Sequence, residues 1–200
     1  MKPKISVVIP TRNRPVQLKR LIRSINTSTY PSKLIEIIIV NNGDPLEKGI
    51  VATEIIQNPT NKGLAFARNQ GAHVAHGAFV LFVDDDNVLD KECISRLVET
   101  FLGRSEYVVL GPKTFYLSQP QKLWFAGAKM NLWTSIPYFY KEADLARAWD
   151  GVLTVENLHN CLMIDRKCGE SVGWFDEKIF MNGTEFDLIR RLKKKFTTSK

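Results

Sequence analysis

Long hydrophobic runs are missing from this sequence. Its longest largely apolar stretches, residues 35–40 and 79–83, have the length of β-strands, whereas a membrane-spanning helix needs about 18 consecutive apolar residues. Residues 5–10 follow a basic N-terminus, but they are too few for the apolar core of a signal peptide. These absences predict a protein that lies in the cytoplasm or at the cytoplasmic face of a membrane.

Cysteine and histidine are also scarce. The irregular spacing of Cys93, Cys161 and Cys168 indicates reduced thiols, and it matches neither a disulfide framework nor a zinc site. His73 and His76 lie three residues apart on a predicted helix, but a zinc site needs further ligands that the sequence does not supply nearby. We therefore expect no zinc centre.

The sequence has no glycine-rich phosphate loop. Neither G-x-G-x-x-G nor G-x-x-x-x-G-K-[ST] occurs, which argues against a dinucleotide-binding Rossmann site and a P-loop. The first predicted strand is followed instead by Pro10, Thr11, Arg12 and Asn13, which offer hydroxyl, amide and guanidinium groups. Such groups suit scattered polar contacts with a nucleotide.

Acidic residues are outnumbered by basic ones. The chain has 28 Lys and Arg against 21 Asp and Glu, a formal net charge of +7, which favours anionic partners. Part of the excess lies in residues 190–195, RRLKKK, which form either a solvated helix face or a segment for peripheral contact with an anionic membrane. Aromatic and basic residues do not interleave as on RNA-binding surfaces, so no nucleic acid partner is expected.

Strand and helix patterns alternate through the first half of the chain. Apolar runs predict strands at residues 5–9, 35–40, 53–58, 79–83, 107–111 and 159–164. Apolar spacing predicts helices beginning near Pro15, Leu64 and Thr184, another capped by Asp90, and a short one over residues 165–173. The alternation predicts an α/β fold with a mostly parallel sheet flanked by helices. Residues 121–149 lack clear periodicity and predict a smaller irregular region, or a helix with long loops.

Polar clusters follow three of the predicted strands. They read PTRN, NNGD and DDDN, and the carboxyl ends of parallel strands meet at one edge, where ligands bind. On a strand end, Asp84 and Asp86 point to one side and Asp85 to the other. A pair of carboxylates suits Mg²⁺ or Mn²⁺. The alternative is an acidic loop that caps the next helix, although Asp90 already fills that role.

Five motifs span about residues 5–191. In chain order they are ISVVIPTRNRPVQLKRLIRSI, IEIIIVNNGD, NKGLAFARNQG, FVDDDN and VGWFDEKIF followed by GTEFDL. Together they resemble family 2 glycosyltransferases with the GT-A fold. The resemblance implies a single GT-A domain over residues 1–200, with a nucleotide-sugar-binding half (1–115) and an acceptor-binding half (116–200). Relatives usually continue further, often with a histidine that joins the metal site, so we expect either a C-terminally truncated chain or a compact variant.

The resemblance also implies the site. Asp86 would bind a divalent cation most directly, and Asp84 would face both the ribose and the metal. The nucleotide-sugar-binding residues that it implies are Pro10, Thr11, Arg12, Asn13, Asn41, Arg68, Asn69, Asp84 and Asp85. Asp85 points the other way, and the alternative to nucleotide-sugar binding is that its side chain only supports the loop. Trp174 is assigned either to stacking on an acceptor sugar or to packing.

Two positions depart from the family pattern. Asn41 stands where the family usually has an aspartate that contacts the base; its amide oxygen either accepts a hydrogen bond from the base or helps to form a turn. The family commonly reads Glu-Asp-x-Asp-Leu where this chain has TEFDL. Thr184 and Asp187 match a capping box, which leaves Glu185 as the expected catalytic base and Asp187 as the second candidate. The alternative for Glu185 is that its negative charge only interacts favourably with the helix dipole.

The predicted activity is transfer of a sugar from a UDP-, GDP- or dTDP-sugar to a hydroxyl acceptor such as a glycan or a lipid carrier. As the resemblance implies, the reaction inverts the anomeric centre and uses Mn²⁺ or Mg²⁺. Two other functions remain open at this point: a nucleotidyltransferase, and a non-catalytic nucleotide-sugar-binding module.

Overall fold

A computed structural model describes residues 1–131, 133–134, 137–140, 151–180 and 183–196. The described strands are β1 (Ile5–Thr11), β2 (Ile35–Asn41), β3 (Glu54–Gln57), β4 (Phe79–Val83), β5 (Val109–Leu110), β6 (Thr114–Tyr116), β7 (Gln119–Phe125), β8 (Ala128–Met130), β9 (Pro137–Phe139) and β10 (Cys161–Asp165). The described helices are α1 (Pro15–Asn26), α2 (Leu64–His73), α3 (Cys93–Gly103), α4 (Arg166–Val172) and α5 (Thr184–Phe196), with a 3₁₀ turn at Ser32–Leu34.

The central sheet has six strands in the order β3-β2-β1-β4-β10-β5. The first four of these pair in parallel, whereas β10 is antiparallel to both β4 and β5. The predicted α/β fold with a mostly parallel sheet is therefore confirmed. The antiparallel β10 was not predicted, because an apolar run alone does not show the direction of its strand.

Two hydrophobic clusters cover the two faces of this sheet. Alternate residues of β1 divide between them, since Ile5, Val7 and Ile9 pack with α1 and α3, and Val8 packs with α2 and α5. Every residue of β1 and β4 is buried, as expected for strands covered on both faces. The helices therefore hold the carboxyl ends of β1, β2 and β4 at one edge.

Helix α3 begins later than the sequence predicted. Its N-terminal flanking residue is Glu92, and Asp90 lies in the preceding turn. The Asp90 carboxylate accepts a hydrogen bond from the Glu92 amide at 2.8 Å, and the Asp90 carbonyl accepts one from the Cys93 amide at 3.0 Å. Asp90 thus stabilises a turn that leads into the helix.

Two antiparallel hairpins, β6–β7 and β8–β9, occupy much of the region predicted to be irregular. The parts of that prediction that cover residues 132, 135–136 and 141–149 lie outside the described residues. Nearly every position of β7 is exposed, so the alternation that identifies a half-buried strand is missing from its sequence. Among the helices that the structure describes, none is long and apolar enough to cross a membrane.

Candidate functional site

Residues from three strand ends meet at the carboxyl edge of the sheet. Thr11 and Asn41 are direct neighbours in the pairing of β1 with β2, and Asp84 follows the last residue of β4, the other strand beside β1. Parallel pairing fixes this arrangement, because it brings equivalent ends of the strands together. The polar clusters predicted to converge therefore do converge.

The three adjacent aspartates have different partners. Asp84 accepts a hydrogen bond from Arg68 at 2.8 Å. Asp85 is buried and accepts one from the Thr11 hydroxyl at 2.7 Å and one from Arg14 at 3.2 Å. Asp86 is 55% exposed and lies 3.3 Å from the same Arg14 nitrogen. Asp85 thus ties the loop to β1, whereas Asp86 presents its carboxylate to solvent.

Arg68 connects the aspartate loop to α5. Its guanidinium is completely buried, and it donates to Asp84 and, at 2.7 Å, to Glu185. It also lies 3.3 Å from the Thr184 hydroxyl and 5.1 Å from the centre of the Phe175 ring. Residues 84, 68 and 185 therefore form a carboxylate–guanidinium–carboxylate chain between three separate segments, in which Arg68 and Glu185 are buried and Asp84 is partly exposed.

The two carboxylates of this chain have opposite pKa shifts. Burial raises the pKa of Asp84, and the neighbouring charges of Glu185 and Asp86 add to that effect, more than Arg68 lowers it. Burial alone would also raise the pKa of Glu185, but Arg68 and the Thr184 hydroxyl outweigh it and hold that pKa below its usual value. Glu185 is therefore held as a carboxylate at neutral pH.

The two candidate bases on α5 contact different parts of the protein. Both oxygens of Glu185 are bonded, one to Arg68 and the other to Thr184 at 2.8 Å. Asp187 accepts two bonds from Arg191, at 2.8 and 2.6 Å. The predicted capping box is wrong, because Thr184 is itself the first helical residue and its hydroxyl bonds Glu185. Among the described residues, only Glu185 of the two candidates is joined to the aspartate loop.

The loop after β2 is held by buried amides. The Asn41 side chain donates to the Asp44 carbonyl at 2.6 Å and to Gln57 at 2.7 Å, and it accepts from the Gly43 amide at 3.1 Å. Because this side chain is completely buried and fully bonded, the turn-forming role describes its contacts in the structure. Its predicted contact with a base remains untested.

Asn13 bridges two of the loops at the edge. Its side chain donates to the Asp44 carboxylate at 3.0 Å and accepts from the Asp44 amide at 2.8 Å. Its φ is +55°, a conformation that asparagine tolerates better than most residues. Arg12 beside it is exposed, with no bonding partner among the described residues, whereas Pro10 is buried within β1 opposite Val40.

The side chains of Asn69 and Trp174 contact other parts of the protein in the structure. The Asn69 amide donates to the Phe175 carbonyl and to Glu177, both at 2.9 Å, and accepts from the Phe175 amide at 3.0 Å. The Trp174 indole is buried, at 5.7 Å edge-to-face from Phe82. Asn69 thus holds the loop between α4 and α5, and the contacts of Trp174 match the packing alternative. The predicted contacts of both residues with ligands stay predictions.

The edge has the chemistry of a divalent cation site. Within the described part of the chain, Asp84, Asp85, Asp86 and Glu185 pair with two guanidinium groups, those of Arg14 and Arg68, so the carboxylates exceed the paired cations by two. Carboxylate oxygens are hard donors that suit Mg²⁺ and Mn²⁺, which are commonly held by one or two carboxylates together with phosphates of the substrate. The donors therefore fit such an ion, although the described residues contain no ready-made group of three or more His, Cys, Asp or Glu ligands.

Sequence reasoning missed Arg14 and the contacts of Thr184. Arg14 pairs with two of the three aspartates, although more than 70 residues separate them in sequence. The only sequence signal was a second arginine in TRNRP, directly before the helix-starting Pro15. The Thr184 hydroxyl meets Arg68 across 116 residues, a contact that no local pattern reveals.

Comparisons with known sequences identify a family. The family model described as Glycosyl transferase family 2 matches residues 6–166. Glycosyltransferase GlyA of Streptococcus pneumoniae serotype 4 (strain ATCC BAA-334 / TIGR4) is 30% identical over 116 residues, which cover 54% of this chain and 16% of GlyA. The uncharacterized glycosyltransferase EpsJ of Bacillus subtilis (strain 168) is 32% identical over 107 residues, which cover 50% of this chain and 30% of EpsJ. The chain thus spans a minor part of each relative.

Two solved structures show the same fold. Mannosyltransferase PcManGT from Pyrobaculum calidifontis, in complex with GDP-Man and Mn²⁺, has a TM-score of 0.70 and 14% identity, covering 98% of this chain and 53% of that one. S. aureus TarS 1-349, in complex with UDP-GlcNAc, has a TM-score of 0.68 and 20% identity, covering 94% of this chain and 53% of TarS 1-349. These likenesses confirm the GT-A fold, and the family match extends over most of the chain. The chain belongs to glycosyl transferase family 2.

Proposed function

We propose that this chain carries the donor site of a metal-dependent, inverting glycosyltransferase. The proposed reaction moves a sugar from a UDP-, GDP- or dTDP-sugar to a hydroxyl acceptor such as a glycan or a lipid carrier. The observation that carries the proposal is the excess of carboxylates at the sheet edge, where four carboxylates meet two guanidinium groups. The structural neighbours that bind GDP-Man with Mn²⁺ and UDP-GlcNAc support a nucleotide-sugar donor.

Asp86 and Asp84 are the proposed metal ligands. Asp86 is the more exposed of the two. Asp84 lies two residues earlier in the same loop and also accepts a hydrogen bond from Arg68. A divalent cation bound there supplies positive charge to the departing nucleoside diphosphate. Thr11, Arg12 and Asn13 flank this position, and the exposed guanidinium of Arg12 suits contact with a phosphate or ribose oxygen.

Glu185 is the proposed base, ahead of Asp187. A base must meet the acceptor hydroxyl close to the leaving group, and Glu185 is the candidate that Arg68 links to Asp84. Arg68 keeps Glu185 ionised at neutral pH, which is the protonation state that a base requires. In the proposed step, the acceptor hydroxyl replaces Thr184 as the partner of the Glu185 Oε2 atom and gives up its proton there as it attacks the anomeric carbon.

A nucleotide-sugar titration with and without Mn²⁺ tests the donor site. UDP-, GDP- and dTDP-sugars are titrated calorimetrically into the wild-type chain, into Asp86→Asn and into the nearby control Asp90→Asn. We expect Mn²⁺ to tighten binding of one donor for the wild type and for Asp90→Asn, and to have little effect for Asp86→Asn. Tight binding that needs neither Mn²⁺ nor Asp86 would overturn the metal assignment.

Product analysis separates the competing functions. A glycosyltransferase releases nucleoside diphosphate when an acceptor is present, and NMR of the product gives the anomeric configuration. Donor binding without release across a broad panel of acceptors would instead favour a binding module. Release of pyrophosphate from a nucleoside triphosphate would favour a nucleotidyltransferase.

A further inference from the structure

The two hairpins carry an exposed aromatic surface. Seven large apolar side chains on or beside them are exposed, and they define this surface: Phe115, Tyr116, Leu117, Trp124, Trp133, Tyr138 and Phe139. Trp133 is 98% exposed and Phe139 is 55% exposed. Single exposed apolar residues are ordinary, but a group of this size on one region marks an interaction site.

Ring contacts join the two hairpins into one surface. The buried ring of Phe125, at the end of β7, lies 5.9 Å from Trp124 and 6.1 Å from Phe139 on β9. His159 lies 5.6 Å from Trp124 and 5.8 Å from Phe125. Trp124 and Phe139 thus contact the same buried ring, which connects the two hairpins.

The sequence of the two hairpins is basic. Residues 107–141 contain no aspartate or glutamate, whereas Lys113, Lys122 and Lys129 are exposed there. The Lys122 ammonium lies 5.3 Å from the centre of the Tyr116 ring, and that of Lys129 lies 5.8 Å from the Tyr140 ring. Lysine side chains thus lie beside the aromatic rings. Among the described residues, the Glu156 carboxylate also reaches the hairpins, where it accepts a hydrogen bond from the Met130 amide at 2.7 Å.

We propose that the aromatic surface docks on an anionic phospholipid bilayer. Tryptophan and tyrosine favour the region between lipid head groups and acyl chains, and lysines near an anionic surface strengthen attachment. A protein partner fits less well, because lysine is depleted at the centres of protein interfaces. The proposal does not depend on the catalytic activity proposed above.

The basic helix α5 offers a weaker site for the same ligand. Its residues 190–195 were the sequence-based candidate for membrane contact, but Arg191 bonds Asp187 and two backbone carbonyls, and Lys195 bonds the Ser171 carbonyl at 2.7 Å. Exposed large aromatic side chains are concentrated on the hairpins, where apolar contact and positive charge occur together.

The aromatic surface adjoins the candidate site through β10. His159, which contacts Trp124 and Phe125, is followed by Asn160, whose carbonyl accepts a hydrogen bond from the Asp84 amide at 2.9 Å. Docking would therefore bring the aspartate loop close to the lipid surface. An acceptor carried on a lipid would be presented there without leaving the bilayer.

Vesicle flotation tests the proposal. The 200-residue chain is mixed with vesicles of phosphatidylcholine alone, or of equal parts phosphatidylcholine and phosphatidylglycerol, and the floating fraction is measured. We expect strong flotation only with the mixed vesicles, and weaker flotation for Trp133→Ser. The double variant Lys113→Gln, Lys122→Gln should lower partitioning about fivefold for each lysine, equivalent to about 1 kcal/mol per charge.

Matched controls test whether vesicle binding depends on this surface or only on the total charge of the protein. Leu102→Ser removes an exposed apolar side chain elsewhere, and the double variant Lys33→Gln, Lys48→Gln removes the same charge from another region; both should float like the wild type. Equal loss in both lysine pairs, or loss only in Lys193→Gln, Lys194→Gln, would overturn the proposal. So would a concentration-dependent dimer that Trp133→Ser abolishes, because it would assign the surface to a second copy of the chain.

Discussion

Arg68 donates a 2.8 Å hydrogen bond to Asp84, and this contact fastens helix α2 to the aspartate loop. Arg68 is completely buried. Its positive charge is therefore compensated by the carboxylates of Asp84 and of Glu185, which it contacts at 2.7 Å. Removing one partner of a buried ion pair leaves an uncompensated charge inside the protein, which is far more costly than losing an exposed pair.

Arg68→Met should therefore lower the free energy of unfolding by about 3–5 kcal/mol. Arg68→Lys should lose less, because one ammonium retains the charge but bonds the two carboxylates less well than the guanidinium. Urea denaturation followed by circular dichroism measures both changes. The control is Arg96→Met, which breaks an exposed pair with Glu92 on α3 and should have little effect. Equal losses at the two positions would contradict the structural role of Arg68.

Glu36 forms a second buried cluster at the opposite end of the strands. Its carboxylate accepts hydrogen bonds from Lys4, Ser6 and the amides of His76 and Gly77. Burial alone would raise the pKa of Glu36, but these donors outweigh it and hold that pKa below its usual value. Because the folded protein holds the ionised form, this contribution to stability is present above the usual glutamate pKa and is lost as pH falls through the lowered value.

Glu36→Gln should lower the free energy of unfolding by about 1–3 kcal/mol at neutral pH, since buried donors lose a charged acceptor. The difference from the wild type should shrink in acid, where Glu36 itself becomes protonated. Denaturation curves across the pH range measure this, with the exposed Glu54→Gln on β3 as the control. A difference that stayed constant from neutral to acid pH would show that the charge of Glu36 does not matter.

Gly169 is required by the packing of Trp174. A methyl group at residue 169 would lie 2.0 Å from the Trp174 ring, whereas one at Gly103 would meet nothing within 4 Å. Gly169→Ala should therefore destabilise the protein strongly and Gly103→Ala should not. Trp174→Ala should cost about 3–5 kcal/mol, as for other buried aromatic side chains. Thermal unfolding distinguishes these variants, and a harmless Trp174→Ala would indicate that the indole is not part of the core.

The sequence predicted strands well where burial alone decides the pattern. Residues 79–83 are apolar throughout because β4 is covered on both faces, and the structure confirms the bounds Phe79–Val83. The start of α5 at Thr184 was also predicted. Both predictions succeed because the pattern of apolar and polar residues within one short segment is enough to indicate the element.

Long-range polar contacts were the part that the sequence did not show. Thr184 and Asp187 match a capping box, but Arg68, more than 100 residues away, bonds the Thr184 hydroxyl and changes its role. Trp174 directly follows the glycine that ends α4, yet it packs against the distant Phe82. Such pairings are set by the crossing of distant segments, and local patterns contain no information on them.

The final prediction concerns the base. Glu185→Gln should lower the rate of sugar transfer by about 10²–10⁴-fold, the usual contribution of a general base, while donor binding changes little. Asp187→Asn is the matched control, because it changes a carboxylate to an amide two residues further along α5, where the partner is Arg191. It should retain most of the transfer activity.

The pH dependence sharpens that comparison. Arg68 and Thr184 hold the pKa of Glu185 below its usual value, so the loss of activity that protonation of Glu185 causes should lie below the normal range of glutamate. Transfer rates measured with saturating donor across acid and neutral pH would show this limb, and Glu185→Gln should lack it. If Asp187→Asn abolished transfer and Glu185→Gln kept both the rate and the acid limb, the base would be Asp187, and the Arg68–Glu185 pair would serve only to hold α5 against the aspartate loop.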